Sequence, residues 1–153
     1  VSDLQLTIEI DASQLSAALH GVAEALDEDE VLDEAASIIL NHTRQRFLEE
    51  VNPEGVAWPP SQAAIQRRRG GGTGTLFDTG TLWRSIQESD DHGPGERIIK
   101  AGAFTEKGVE YGKFHQYGTK FLPVREFMGV PKEDVELFEA RIMQRVAEAL
   151  GLA

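Results

Sequence analysis

The chain contains no cysteine. That absence removes disulfides, thiolate nucleophiles and cysteine-ligated zinc together, and it suits folding in a reducing cytoplasm. Long apolar runs are missing too: none approaches the ~18–20 residues that a membrane helix requires. The opening "VSDLQLTIEI" has neither the basic nor the apolar region of a secretory signal. The expectation is therefore a protein with no membrane partner. Basic charge is scarce: 15 Lys and Arg stand against 26 Asp and Glu, a net charge of -11. A free nucleic-acid binder draws most of its affinity from phosphate contacts made by Lys and Arg, so this balance argues against one.

Signatures of chemistry are also missing. The histidines at 20, 42, 92 and 115 are scattered, and none shows H-E-x-x-H spacing, so no metal site is expected. No G-x-S-x-G surrounds a serine. The glycine run "RRRGGGTGT", residues 67–75, lacks the GK[ST] ending of a phosphate-binding loop, and no apolar strand leads into it. Carboxylates are plentiful but fall in solvated runs, without the apolar pocket that acid–base catalysis uses to tune pKa values. These absences point away from an enzyme and from any cofactor.

What is present is one ordinary domain. The 153 residues are 41% apolar with a mean hydropathy of -0.30, enough for a real core within 1–153. "LQLTIEI", residues 4–10, alternates apolar and polar side chains and reads as a strand with one buried face. Asp11 or Ser13 then offers an N-cap for a short helix over 14–26. Leu32, Ala35, Ala36, Ile39, Leu40, Thr43 and Phe47 follow helical spacing, so a long helix is expected from about residue 29 to 51. "NPEGVAWPPS", residues 52–61, breaks regularity. A short helix from about Gln62 is expected to end in the arginine triplet. Residues 67–75 read as a mobile loop. Arg67, Arg68 and Arg69 there can touch a phosphate backbone or an acidic partner, or can simply be solvated.

Further on, "LFDTGTLWRSIQ", residues 76–87, reads as a turn and a short helix, with Leu82 and Ile86 on one face. Residues 90–96 read as a hairpin loop and 97–103 as a strand. A third or fourth strand is expected from 87–90 and 120–128. "GVEYGKFHQYG" is a short helix or an extended piece closed by Gly118. Val135, Phe138, Ile142, Val146 and Ala149 mark an amphipathic terminal helix entered at Pro131 and ended by Gly151. The expected fold is α+β: a small, mostly antiparallel sheet packed against two long helices, with an exposed Gly-rich loop.

"EYGKFHQYGTKFLPVREFMG", residues 110–129, gathers His115, Gln116 and Arg125 in the manner of an active site. Catalysis by His115 would need a nucleophile and an orienting acid. Asp78 and Ser85 are the available partners, and a small hydrolase built on them is the enzymatic alternative. The favoured reading is a histidine ring packed between Phe114 and Tyr117, with a ring nitrogen bonded to backbone. Arg125 is suited to a bidentate pair with a carboxylate, within the chain or across a subunit boundary.

Four motifs in order resemble the phage virion morphogenesis family, the tail-completion proteins of Mu-like, contractile-tailed phages. They are Pro53, Gly55, Trp58 and Pro60; Leu76, Thr79, Gly80, Leu82, Ser85 and Ile86; Tyr111, His115, Gln116 and Gly118; and Pro123, Arg125, Phe127 and Gly129. The resemblance runs over roughly residues 29–150. Gly112 stands where the pattern has Ala, and Met128 where it has Leu. The resemblance implies structural work: a tail terminator or neck protein, a homo-oligomer that is commonly a hexameric ring. It implies contacts with the tail tube, the sheath and head-completion or connector proteins. Genomic DNA passes through such a ring without specific binding. The implied location is the tail or neck of the virion, reached from the host cytoplasm. A head-side adaptor of the same neck is the alternative.

Overall fold

In the computed structural model, residues 4–9, 26–72, 74–102, 105 and 107–152 are described. The expected helix over 14–26, with Asp11 or Ser13 as its cap, lies outside the described residues but for its last position. Elsewhere the fold is α+β. The element order is β1 (Leu4–Glu9), α1 (Glu28–Glu49), α2 (Gln62–Arg69), α3 (Thr81–Ser85), β2 (Ile86–Ser89), β3 (Glu96–Ala101), α4 (Gly112–Tyr117) and α5 (Lys132–Ala149).

The three strands form one antiparallel sheet in the order β1-β3-β2. Its register sets Leu4 and Ile86 on either side of Ala101, and Leu6 and Glu88 on either side of Ile99. The alternation of β3 buries Arg97, Ile99 and Ala101 on one face, as the period of a strand requires. Helix α1 lies across that face. It begins where Asp27 accepts hydrogen bonds from the Asp29 and Glu30 amides, and acids fill its first turn, both favourable at the positive end of the helix dipole. The positions that share helical spacing do face inward: Leu32, Ala35, Ala36, Ile39, Thr43 and Phe47 are buried. Buried Arg97 reaches from the sheet to this helix, donating to Asp33 (2.6 Å) and Asp29 (3.0 Å).

The short helix does end in the arginine triplet, since α2 runs from its Ser61 cap through Arg69; of the segment read as a loop over 67–75, residues 67–69 are therefore helical. Two expectations change. Residues 120–128 form no strand; side chains, not a neighbouring strand, satisfy much of that backbone. Helix α5 buries less than its periodicity suggests. Only Asp134 and Val146 are fully inside, while Val135 is 41% exposed.

Candidate assembly site

The four motifs, distant in sequence, meet around Phe47. Its ring makes edge contacts with Trp58 (centroids 5.4 Å apart) and with Phe127 (5.2 Å), the geometry that aromatic quadrupoles favour. Trp58, Leu82, Ile86 and Phe127 are all core residues, as is Met128. Methionine in place of leucine is a near volume-conserving exchange. Two hydrogen bonds tie the first motif to the fourth: Trp58 Nε1 donates to the Glu126 carbonyl (2.8 Å), and Arg125 Nε donates to the Pro59 carbonyl (2.7 Å). Pro53 seats against Gly129, where an added Cβ would lie 2.7 Å from the Pro53 ring. The second motif meets the third at Leu82, whose methyl would stand 3.0 Å from a Cβ on Gly112.

Gln116 is the centre of the arrangement. Buried on α4, it accepts from the amides of Phe127 and Met128 (3.0 Å each) and donates to the Met128 carbonyl (2.8 Å). One side chain thus replaces a neighbouring strand. The Arg125 amide adds a bond to the His115 carbonyl (2.7 Å). Between these anchors the chain leaves the body as a loop. Gly118 starts it at φ 73° and ψ 176°, a region open essentially to glycine alone. Thr119 and Leu122 then exchange two backbone hydrogen bonds, and the Thr119 hydroxyl accepts from the amides of Phe121 and Leu122. The result is a hydrogen-bonded tip whose most exposed apolar side chain, Phe121, is 81% exposed. Tyr117 and Val124 are exposed beside it. Pro123 and Pro60 are exposed as well.

His115 differs from expectation. Its aromatic partner is Tyr111, edge-on at 6.5 Å, rather than Phe114 and Tyr117. Its Nδ1 is buried without a hydrogen-bond partner, not bonded to backbone. Burial, and then the nearby Arg125 guanidinium, holds its pKa below the ordinary histidine range. The ring is accordingly mostly neutral at pH 7. Within the chain Arg125 pairs with no carboxylate among the described residues, and its buried guanidinium serves the Pro59 carbonyl instead. Burial lowers its pKa as well.

A cleft of about 350 Å³ opens beside His115, with Asp78, Thr79, Thr81, Tyr111 and Arg67 in its wall. No hydrogen bond joins Asp78 to His115 among the described residues. Ser85 Oγ donates to the Leu82 carbonyl within its own helix (2.6 Å). The acid–histidine–serine constellation of a hydrolase is therefore not assembled among the described residues. Nor do three His, Asp or Glu side chains gather there to hold a metal ion. The arginine triplet is largely occupied within the chain. Arg67 donates to the Gly74 carbonyl (2.9 Å), and Arg68 pairs with Glu50. Arg69 is exposed at the helix end.

Two features escape sequence reasoning. Arg46 and Asp134 form a buried ion pair at 3.0 Å, with Arg46 also donating to the Gly129 carbonyl (3.1 Å) and His42 meeting Asp134 at 2.5 Å. This joins α1, the segment around Gly129 and the first turn of α5. Burial lowers the Arg46 pKa, and Asp134 opposes that shift. Buried Glu110 accepts from the Gly112 and Lys113 amides and so caps α4. Its signal is an acid just ahead of a helix start; Arg46 and Asp134, 88 residues apart, leave none.

These observations define a class: a small α+β domain whose signature residues brace an exposed apolar loop. The chain belongs to the phage virion morphogenesis family, which it matches over residues 10–147. It has a structural role in building a phage particle. It is also 25% identical, over 148 residues, to "Mu-like prophage FluMu G protein 1" of Haemophilus influenzae, an alignment spanning 95% of this chain and 97% of that one. No solved structure matches significantly.

Proposed function

We propose that the protein completes or terminates a phage tail and forms part of the head–tail junction. It does so without catalysis, as a closed ring docked on the tube. The observation that carries this reading is the braced loop over 118–124. Stiff projecting loops with exposed aromatics serve recognition, because little freedom is lost on contact. A closing ring needs two different surfaces on each subunit. The loop supplies one, and the exposed apolar side of α5 supplies another. Hexameric closure, the tail tube and sheath as neighbours on one side, and the head-completion proteins on the other complete the proposal. The net charge of -11 suits a lumen through which DNA passes without sticking. Electron microscopy of the purified protein and of particles tests it. Rings at the head-proximal end of tails are expected, and loss of the gene product leaves tails of wrong length or unable to join heads. A strictly monomeric protein absent from particles overturns the reading.

A further inference from the structure

Resting on that ring reading, we propose that the ring contact is a knob in a groove: Phe121 of one copy enters the apolar groove between α1, α5 and β1 of the next. The groove encloses about 250 Å³ and is lined by Ile38, Ile39, Val130, Val135 and Phe138, with Glu9 at its edge. An apolar cavity of about 150 Å³ already accepts a benzene ring, so a phenyl group fits with room for its stem. Val130 and Val135 are more than 40% exposed in the free subunit, so apolar surface waits there for cover. The knob needs the same: Phe121 is 81% exposed.

Charge selects a second copy of this chain as the occupant. In a protein with 26 acidic residues, residues 111–125 contain none, and besides buried Arg125 they carry Lys113 and Lys120. The Lys120 ammonium lies 4.7 Å from the centre of the Phe121 ring, so the knob carries its own cation. The groove has exposed Glu9 in its wall. A basic apolar tip and an acid-edged apolar groove on one chain are complementary to each other, and each is unlike itself. That combination gives a heterologous contact, the kind that closes into rings. Opposed charge fixes which way the tip seats.

The absence of native cysteine makes the test clean. Single variants Phe121→Cys and Val135→Cys, mixed under mild oxidation, are expected to give a disulfide-linked dimer that neither forms alone. A chain carrying both gives a ladder ending at the ring size. Phe121→Ala is expected to raise the assembly Kd about tenfold or more, with an unchanged circular dichroism spectrum because the side chain packs on little in the free subunit. Lys120→Glu weakens assembly, and adding Glu9→Lys restores it. A wild-type ring indifferent to Phe121→Ala, or crosslinks joining 121 only to 121 or only to another tail protein, overturns the contact and leaves the ring standing. A wild-type protein that never assembles, in solution or on tails, overturns both.

Discussion

Gln116 holds Met128 by both of its backbone polar groups: the side-chain oxygen accepts from the Met128 amide and the side-chain nitrogen donates to the Met128 carbonyl. A third bond from the Phe127 amide completes the clamp. Replacing Gln116 by Ala strands three buried backbone groups. Unpaired buried groups cost about 1–3 kcal/mol each, so a loss of about 3 kcal/mol or more is expected, read as a lower urea midpoint at unchanged m-value. Gln116→Glu should recover little, because it keeps the acceptor, loses the donor and buries a charge.

The ion pair between Arg46 and Asp134 is buried on both sides, at 7% and 5% side-chain exposure. Removing one partner leaves a charge without compensation. Asp134→Ala is expected to cost about 3–5 kcal/mol. The double variant Arg46→Met with Asp134→Ala should cost less than the sum of the two singles. A double-mutant cycle by denaturant unfolding measures that coupling; simple additivity would contradict the pairing.

His115 makes stability depend on pH with a definite sign. Its folded pKa lies below the unfolded value of about 6.5, so between the two values the unfolded chain binds the extra proton. Stability therefore falls as pH drops from about 7.5 through that window, and it levels off below the folded pKa. His115→Gln should flatten that part of the profile. NMR titration of the ring is expected to show a midpoint below the ordinary histidine range.

Gly118→Ala tests the root of the loop. The new Cβ would sit 2.9 Å from Val124 Cγ2 and 3.1 Å from the Leu122 carbonyl oxygen, and alanine disfavours the φ of 73°. A cost of about 1–3 kcal/mol is expected, with faster amide exchange confined to residues 118–124. Uniform loss of protection across the sheet would instead place the glycine in the core of the fold.

Local periodicity carried much of this fold into view. The alternation of Leu4 to Glu9 and the spacing of Leu32 to Phe47 each report one buried face of one element, and both are as the sequence implies. The α+β class follows from them. Residues 120–128 show the limit: their pattern suggests a strand, yet strand identity depends on who supplies the hydrogen bonds, and here the side chains of Gln116, Thr119 and Trp58 supply many of them. The site was legible as a set of residues but not as a set of contacts. His115, Gln116 and Arg125 stand out together in sequence, while their partners Tyr111, Met128 and Pro59 depend on how the chain returns. Arg125 could not be separated from an ion-pairing arginine, because a carbonyl acceptor such as that of Pro59 has no signature in sequence. Arg46 and Asp134 sit on helices whose patterns mark them as ordinary surface charges.

The tip over Thr119–Leu122 is held by its own turn, and its root is held by residues outside it. On the proposed contact, recognition and folding fall to separate residues. A related phage could then exchange Lys120 and Phe121 for other side chains and acquire a different neighbour while the scaffold stays intact. Compatibility between subunits of different phages would then be decided at a two-residue address, and grafting that address should move assembly specificity from one relative to another.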